Sequence, residues 1–168
     1  AQLEFNAGRQ AEAERRLAEV LRDNPRSAEG LILQGKIALI GKNGKDALQA
    51  FRTVLRDQPE LAHVQHLLGQ AYIMTGELAL ARNSFERAVA LRPDAMASGL
   101  ALATLEIQSG RVPRARARLL EIFKAHPDYL PALEQLFALD LSTGEWSHAK
   151  IVLDPLRRAM GDNPAILI

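Results

Sequence analysis

The 168-residue chain carries 21 basic and 20 acidic side chains, and its net charge of +1 gives no electrostatic reason to seek nucleic acid or an anionic membrane. A hydrophobic fraction of 48% with 24% charged residues argues against disorder. The lack of cysteine excludes disulfides, thiol catalysis and cysteine-ligated metal. Aromatics are only 5%, and the apolar share is mostly Ala and Leu, residues that lose little side-chain freedom in a helix. No run of about 18 apolar residues exists, so direct membrane insertion is not expected. The opening "AQLEFNAGRQ" has no basic region followed by an apolar core, and it lacks an initiating Met. The expectation is a fragment or processed chain, cytoplasmic or periplasmic.

Along the chain, one grammar returns every 34 residues. Alanine recurs at Ala13, Ala47, Ala81, Ala115 and Ala149, and proline at Pro25, Pro59, Pro93 and Pro127. Glycine recurs at Gly8, Gly76, Gly110 and Gly144, with Gly41 and Gly44 flanking the one missed position, Lys42. Three interleaved series with one period mark a repeat array. The first unit, 1–27, is partial and supplies half a helix less than the others. Units follow at 28–61, 62–95, 96–129 and 130–164. In the unit 62–95 the pattern predicts helix A from Ala62 to Thr75, a turn at Gly76 and helix B from Leu78 to Leu91. Gly76 suits the left-handed backbone of a helix end. Arg92 precedes Pro93 and is pushed out of the helical region, which ends helix B. Ala81 is placed where helix B presses closest on helix A. In the last unit Pro155 falls inside helix B, where a kink or an end near Asp154 is expected. The tail "AMGDNPAILI" brings no polar cap, and its apolar end is expected to begin a further unit or to pair with a second copy of the chain.

These units resemble the tetratricopeptide repeat. The third unit carries Gly69, Tyr72, Ala81, Phe85, Ala88 and Pro93 at the family's small, tyrosine, alanine, aromatic, small and proline positions. The second has Gly35, Ala38, Ala47, Phe51, Val54 and Pro59 there. The fourth keeps Ala103, Ala115 and Pro127 but has Leu119 and Ile122, and the fifth keeps Ala149 with Phe137 at the small position. The first unit shows Ala1, Ala13, Leu17, Val20 and Pro25. The resemblance implies an all-α, right-handed solenoid of about five helix–turn–helix repeats, without separate domains. Its Ala-rich units also resemble, in style, long bacterial arrays of the cell envelope, including those of exopolysaccharide assembly.

Chemistry in this sequence is sparse. His63 and His66 are three apart and share a helical face, but nearby Gln70 is a poor third metal ligand, so surface histidines are expected. Ser84 and Ser98 lack recognisable base and acid partners, and no glycine loop cradles phosphate. No catalytic, metal or cofactor residue is assigned. In the basic run "GRVPRARARLLEIFK", Arg111, Arg114 and Arg118 share a face while Arg116 points away, and a solvated convex surface is expected. Acidic neighbours of Arg82 and Arg87, namely Glu77 and Glu86, weigh against nucleic acid.

The resemblance implies that helices A line a concave groove that takes a partner's peptide or helix. Groove positions map onto Ile32, Lys36 and Leu39, then His63, His66, Gln70 and Ile73, then Leu100, Thr104 and Ile107, then Glu134, Ala138 and Leu141. The carboxylate clamp of chaperone-binding members is not expected, because Ile32, Leu67, Ala97 and Ala101 leave Lys36 as the lone basic group. The expected function is a non-enzymatic protein-interaction scaffold. The alternative is a spacer or self-association module of a larger protein, paired through the uncapped C-terminal end.

Overall fold

A computed structural model describes residue 12 and residues 15–160 of the chain. The described residues are helical throughout apart from turns and short links, and the chain divides into two compact units between Asp94 and Ala95. The first contains α1 (residues 15–23), α2 (Ala28–Ile40), α3 (Gly44–Asp57), α4 (Ala62–Met74) and α5 (Leu78–Leu91). The second contains α6 (Met96–Gln108), α7 (Val112–Ala125), α8 (Leu130–Ser142) and α9 (Trp146–Met160). Even-numbered helices are the A helices, and each packs against the B helix that follows it. The fold is an all-α solenoid of the tetratricopeptide type.

Each A helix ends the same way. The Glu77 N–H donates to the Tyr72 carbonyl at 2.9 Å and the Gly76 N–H to that of Ile73 at 3.1 Å, with Gly76 at φ +82°. This pair of bonds satisfies the last carbonyls of α4 and reverses the chain. The same pair recurs around Gly110 and Gly144. At the position the glycine series misses, Lys42 itself takes φ +57°, and Asn43 and Lys42 make the equivalent bonds to Ala38 and Leu39. The flanking Gly41 stays at φ −74°. The turn geometry is therefore kept at Lys42 without glycine, at a backbone cost of about 1–2 kcal/mol.

The recurring small residues are where helices touch. Ala47, Ala81 and Ala115 are completely buried, while Ala13 lies outside the described residues. A Cβ placed on Gly69 would lie 2.5–2.7 Å from three ring carbons of Phe85. Gly35 meets Phe51 in the same way one period earlier. In the second unit Ala115, Leu119, Leu133, Leu136, Val152 and Leu156 form a continuous apolar core.

Pro155 does not end its helix. α9 runs through it to Met160. Only the carbonyl of Ile151 loses its partner, and Ile151 lies on the exposed side of the helix, where water can take the proline N–H's place. Pro164 and the apolar tail lie outside the described residues.

Candidate interaction surface

The two kinds of helix differ in how they distribute apolar residues. Helices α3, α5, α7 and α9 are amphipathic, each with one buried stripe, whereas in α2, α4, α6 and α8 the apolar residues are spread round the helix with a few polar ones among them. A helix whose apolar residues lie on several faces needs cover on more than one of them. The B helices cover one side of the A helices. The opposite side is the candidate surface.

Of the predicted groove residues, Lys36, His63 and Gln70 are exposed, as are Ile73, Glu134, Ala138 and Leu141. Ile32, Leu39, His66, Leu100, Thr104 and Ile107 are half-buried. Leu100 and Ile107 pack against the core of the second unit, so they support the surface more than they present it. Thr104 accepts a hydrogen bond from Gln135 Nε2 at 2.8 Å, which ties α8 to α6. Ile73 and Leu141, two periods apart, are 43% and 38% exposed. Leu33, Ile40 and Met74 are exposed apolar residues of α2 and α4 that the sequence reading missed. The signal that could have found them is the apolar residues of these helices lying on more faces than one packed side can bury.

His66 is not a surface histidine. Its ring packs on Phe85 with centroids 5.4 Å apart, and burial holds its pKa below the usual imidazole value of 6.5. His63 is exposed. Among the described residues, no group of acidic or histidine side chains could hold a metal ion.

The basic run of α7 also differs from the solvated face expected of it. Arg118 makes two hydrogen bonds, at 3.1 and 3.2 Å, to Glu106, whose side chain is 2% exposed, and Arg114 lies 3.6 Å from the same carboxylate. Arg116 does point away from that face, but into a second buried pair and not into solvent: its Nε donates to Asp140 Oδ1 at 2.7 Å and its Nη2 to Thr143 Oγ1 at 2.6 Å. Buried carboxylates are expensive unless paired, which draws the arginines inward. Sequence reasoning missed both acids. Their signal was present, because Glu106 and Asp140 stand one and two periods after Tyr72, at a helix-A position that faces inward.

Tetratricopeptide-repeat family models match residues 1–62, 43–96 and 76–138. The chain belongs to the tetratricopeptide repeat family. Proteins of this family are generally non-enzymatic and bind protein partners. Superkiller complex protein 3 of Mus musculus is 32% identical over 99 residues, and the human protein is 31% identical over 90. Those stretches cover 59% and 54% of this tetratricopeptide chain but only 6% of either relative. Among solved structures, the type IV pilus biogenesis factor PilW superposes with a TM-score of 0.80 at 19% identity, over 98% of this chain and 77% of that one. MamA superposes at 0.76 and 19%, over 94% and 90%. YrrB, described as a TPR protein with an unusual peptide-binding site, superposes at 0.73 and 19%, over 94% and 82%. At these identities the likeness is one of fold. Among the described residues, no helix is long and apolar enough to cross a membrane.

Proposed function

We propose that this chain is a non-enzymatic scaffold whose A helices hold a peptide or helix of a protein partner on their open side. The observation that carries the proposal is that aliphatic residues are left in the open on helices whose apolar residues are spread over several faces. Ile73 and Leu141 occupy the same place in different repeats, and Ile40 and Met74 stand one residue beyond that place on α2 and α4. Lys36 and Gln70 share α2 and α4 with Ile40, Ile73 and Met74, and Glu134 shares α8 with Leu141, and these polar groups set register and orientation for a bound segment. The peptide-binding description of YrrB is compatible with this use of the fold.

Affinity capture followed by mass spectrometry tests the proposal, with the chain and a variant carrying Lys36→Glu, Ile73→Asp and Leu141→Asp as baits. All three side chains are exposed, so the variant keeps its helical circular-dichroism spectrum. A protein held by the first bait and lost from the second supports the scaffold. Identical catches, or only the parent protein itself, support a spacer or self-association module instead.

A further inference from the structure

The ring of Tyr72 is buried beside α3, where the Arg52 guanidinium lies 5.3 Å from its centroid and donates to its hydroxyl at 2.9 and 3.2 Å. Two periods later those two positions hold Asp140 and Leu120. An aspartate is much shorter than a tyrosine and carries no ring, and a leucine does not reach across as an arginine does. What remains is a cleft of about 110 Å³ between α7, α8 and α9. Leu120, Phe123, Ile151 and Val152 wall it, and its lining is almost wholly apolar.

The guanidinium of Arg116 lines the same cleft. Its Nε and Nη2 donate to Asp140 and Thr143, and its Nη1 lies 3.5 Å from Glu145. The N–H bonds of a guanidinium all lie in its plane, so these partners take up its edge and not its faces. A charged head group gains nothing from an edge already paired. A π-face, by contrast, suits both the flat side of the arginine and the apolar walls. Phe123 adds an aromatic wall, against which a second ring gains an offset or edge-on contact.

We propose that this cleft binds a phenyl ring, in the place that Tyr72 fills with its own ring two repeats earlier. The ring packs between Leu120, Phe123 and Val152, with the Arg116 guanidinium against its π-face. A closed apolar cavity of about 150 Å³ holds benzene. This smaller cleft is open at a rim formed by Ile151 and His148, which are 63% and 53% exposed, so the ring enters with its substituent outside. Leucine stands at the register of Arg52, so no donor awaits a para hydroxyl, and phenyl is favoured over phenol. The walls come mainly from α7 and α9, which separates this site from the A-helix surface proposed above.

Titration of the methyl-labelled 168-residue chain with benzyl alcohol, followed by NMR, tests this. Saturable shifts are expected for the methyls of Leu120, Ile151 and Val152. Cyclohexylmethanol, similar in size but without a π-face, should bind about threefold more weakly. 4-Hydroxybenzyl alcohol should bind about fivefold more weakly, because its second hydroxyl is buried unpaired. Asp140→Tyr should abolish the shifts by seating the chain's own ring in the cleft. Ile151→Trp, at an exposed position that leaves the fold intact, sets an indole over the mouth and should abolish them as well. N-acetylphenylalanine amide separates two sources of the ring: matching shifts assign the site to a phenylalanine side chain of a partner, and shifts with benzyl alcohol alone assign it to a free aromatic molecule. Equal binding of either competitor, no saturable shift with benzyl alcohol, or shifts that survive Ile151→Trp would overturn the proposal.

Discussion

Replacing Gly69 with alanine sets two opposing effects against each other. Within a helix the change gains about 1 kcal/mol, because glycine is the poorer helix former. Against this, the new methyl would stand 2.5–2.7 Å from three carbons of the Phe85 ring, which is completely buried. Overpacking of a closed core costs about 1–3 kcal/mol, and three simultaneous clashes with an enclosed ring place this case in the upper half. The net loss expected is about 1–2 kcal/mol, a fall in Tm of about 2–8 °C for a chain of this size. The sequence contains its own compensation. One period on, alanine stands at 103 and the facing aromatic has become Leu119, whereas Gly35 faces Phe51. The double change Gly69→Ala with Phe85→Leu should therefore be better than the sum of its parts by about 1 kcal/mol or more. Thermal and urea melts followed by circular dichroism measure all four corners of this cycle. Additive losses, or no loss from Gly69→Ala alone, would refute the account of helix A–B packing.

Lys42→Gly should stabilise the chain by about 0.5–1 kcal/mol, because it removes a left-handed backbone penalty of about 1–2 kcal/mol and restores some unfolded-state freedom. A lower urea midpoint would count against the turn argument. Arg116→Met strands Asp140 and should cost about 3–5 kcal/mol, whereas Arg56→Met, which breaks an exposed pair with Asp57, should stay within about 0.5 kcal/mol. Equal urea midpoints for the two variants would show that the α7 arginines are solvated after all. His66 has its folded pKa below its unfolded value of 6.5, so the unfolded chain binds more protons as pH falls beneath that value. Stability should therefore decline from about pH 6.5 downward, and His66→Gln should flatten that part of a Tm-against-pH curve. An unchanged slope would remove burial as the cause.

The elements were legible because their signals are local. Gly76, Pro93 and the buried Ala81 each act through backbone geometry or close approach, and the boundaries of α4 and α5 fall within one residue of expectation. Pro155 was misjudged because a helix tolerates a missing N–H where water can reach the freed carbonyl, and that depends on which face is exposed. The α7 arginines were misjudged for a different reason. Their partners Glu106 and Asp140 lie 12 and 24 residues away, in the neighbouring A helices, so side-chain spacing within one helix could not reveal them. Repeat register could have done so, since both acids stand at the Tyr72 position. Exposure was harder to read than the helices: Lys36, Gln70, Ile73 and Leu141 are open, but periodicity alone does not separate them from Leu100 and Ile107, which the core draws in.

The central claim is that a partner lies on the A-helix side, and a binding footprint tests it most directly. With a captured partner in hand, the methyl and amide resonances of the chain should be followed through a titration. The scaffold account predicts shifts at Lys36, Gln70, Ile73 and Leu141, with Leu78, Leu80 and Ile151 on the B helices unmoved. Shifts confined to those B-helix residues would contradict it.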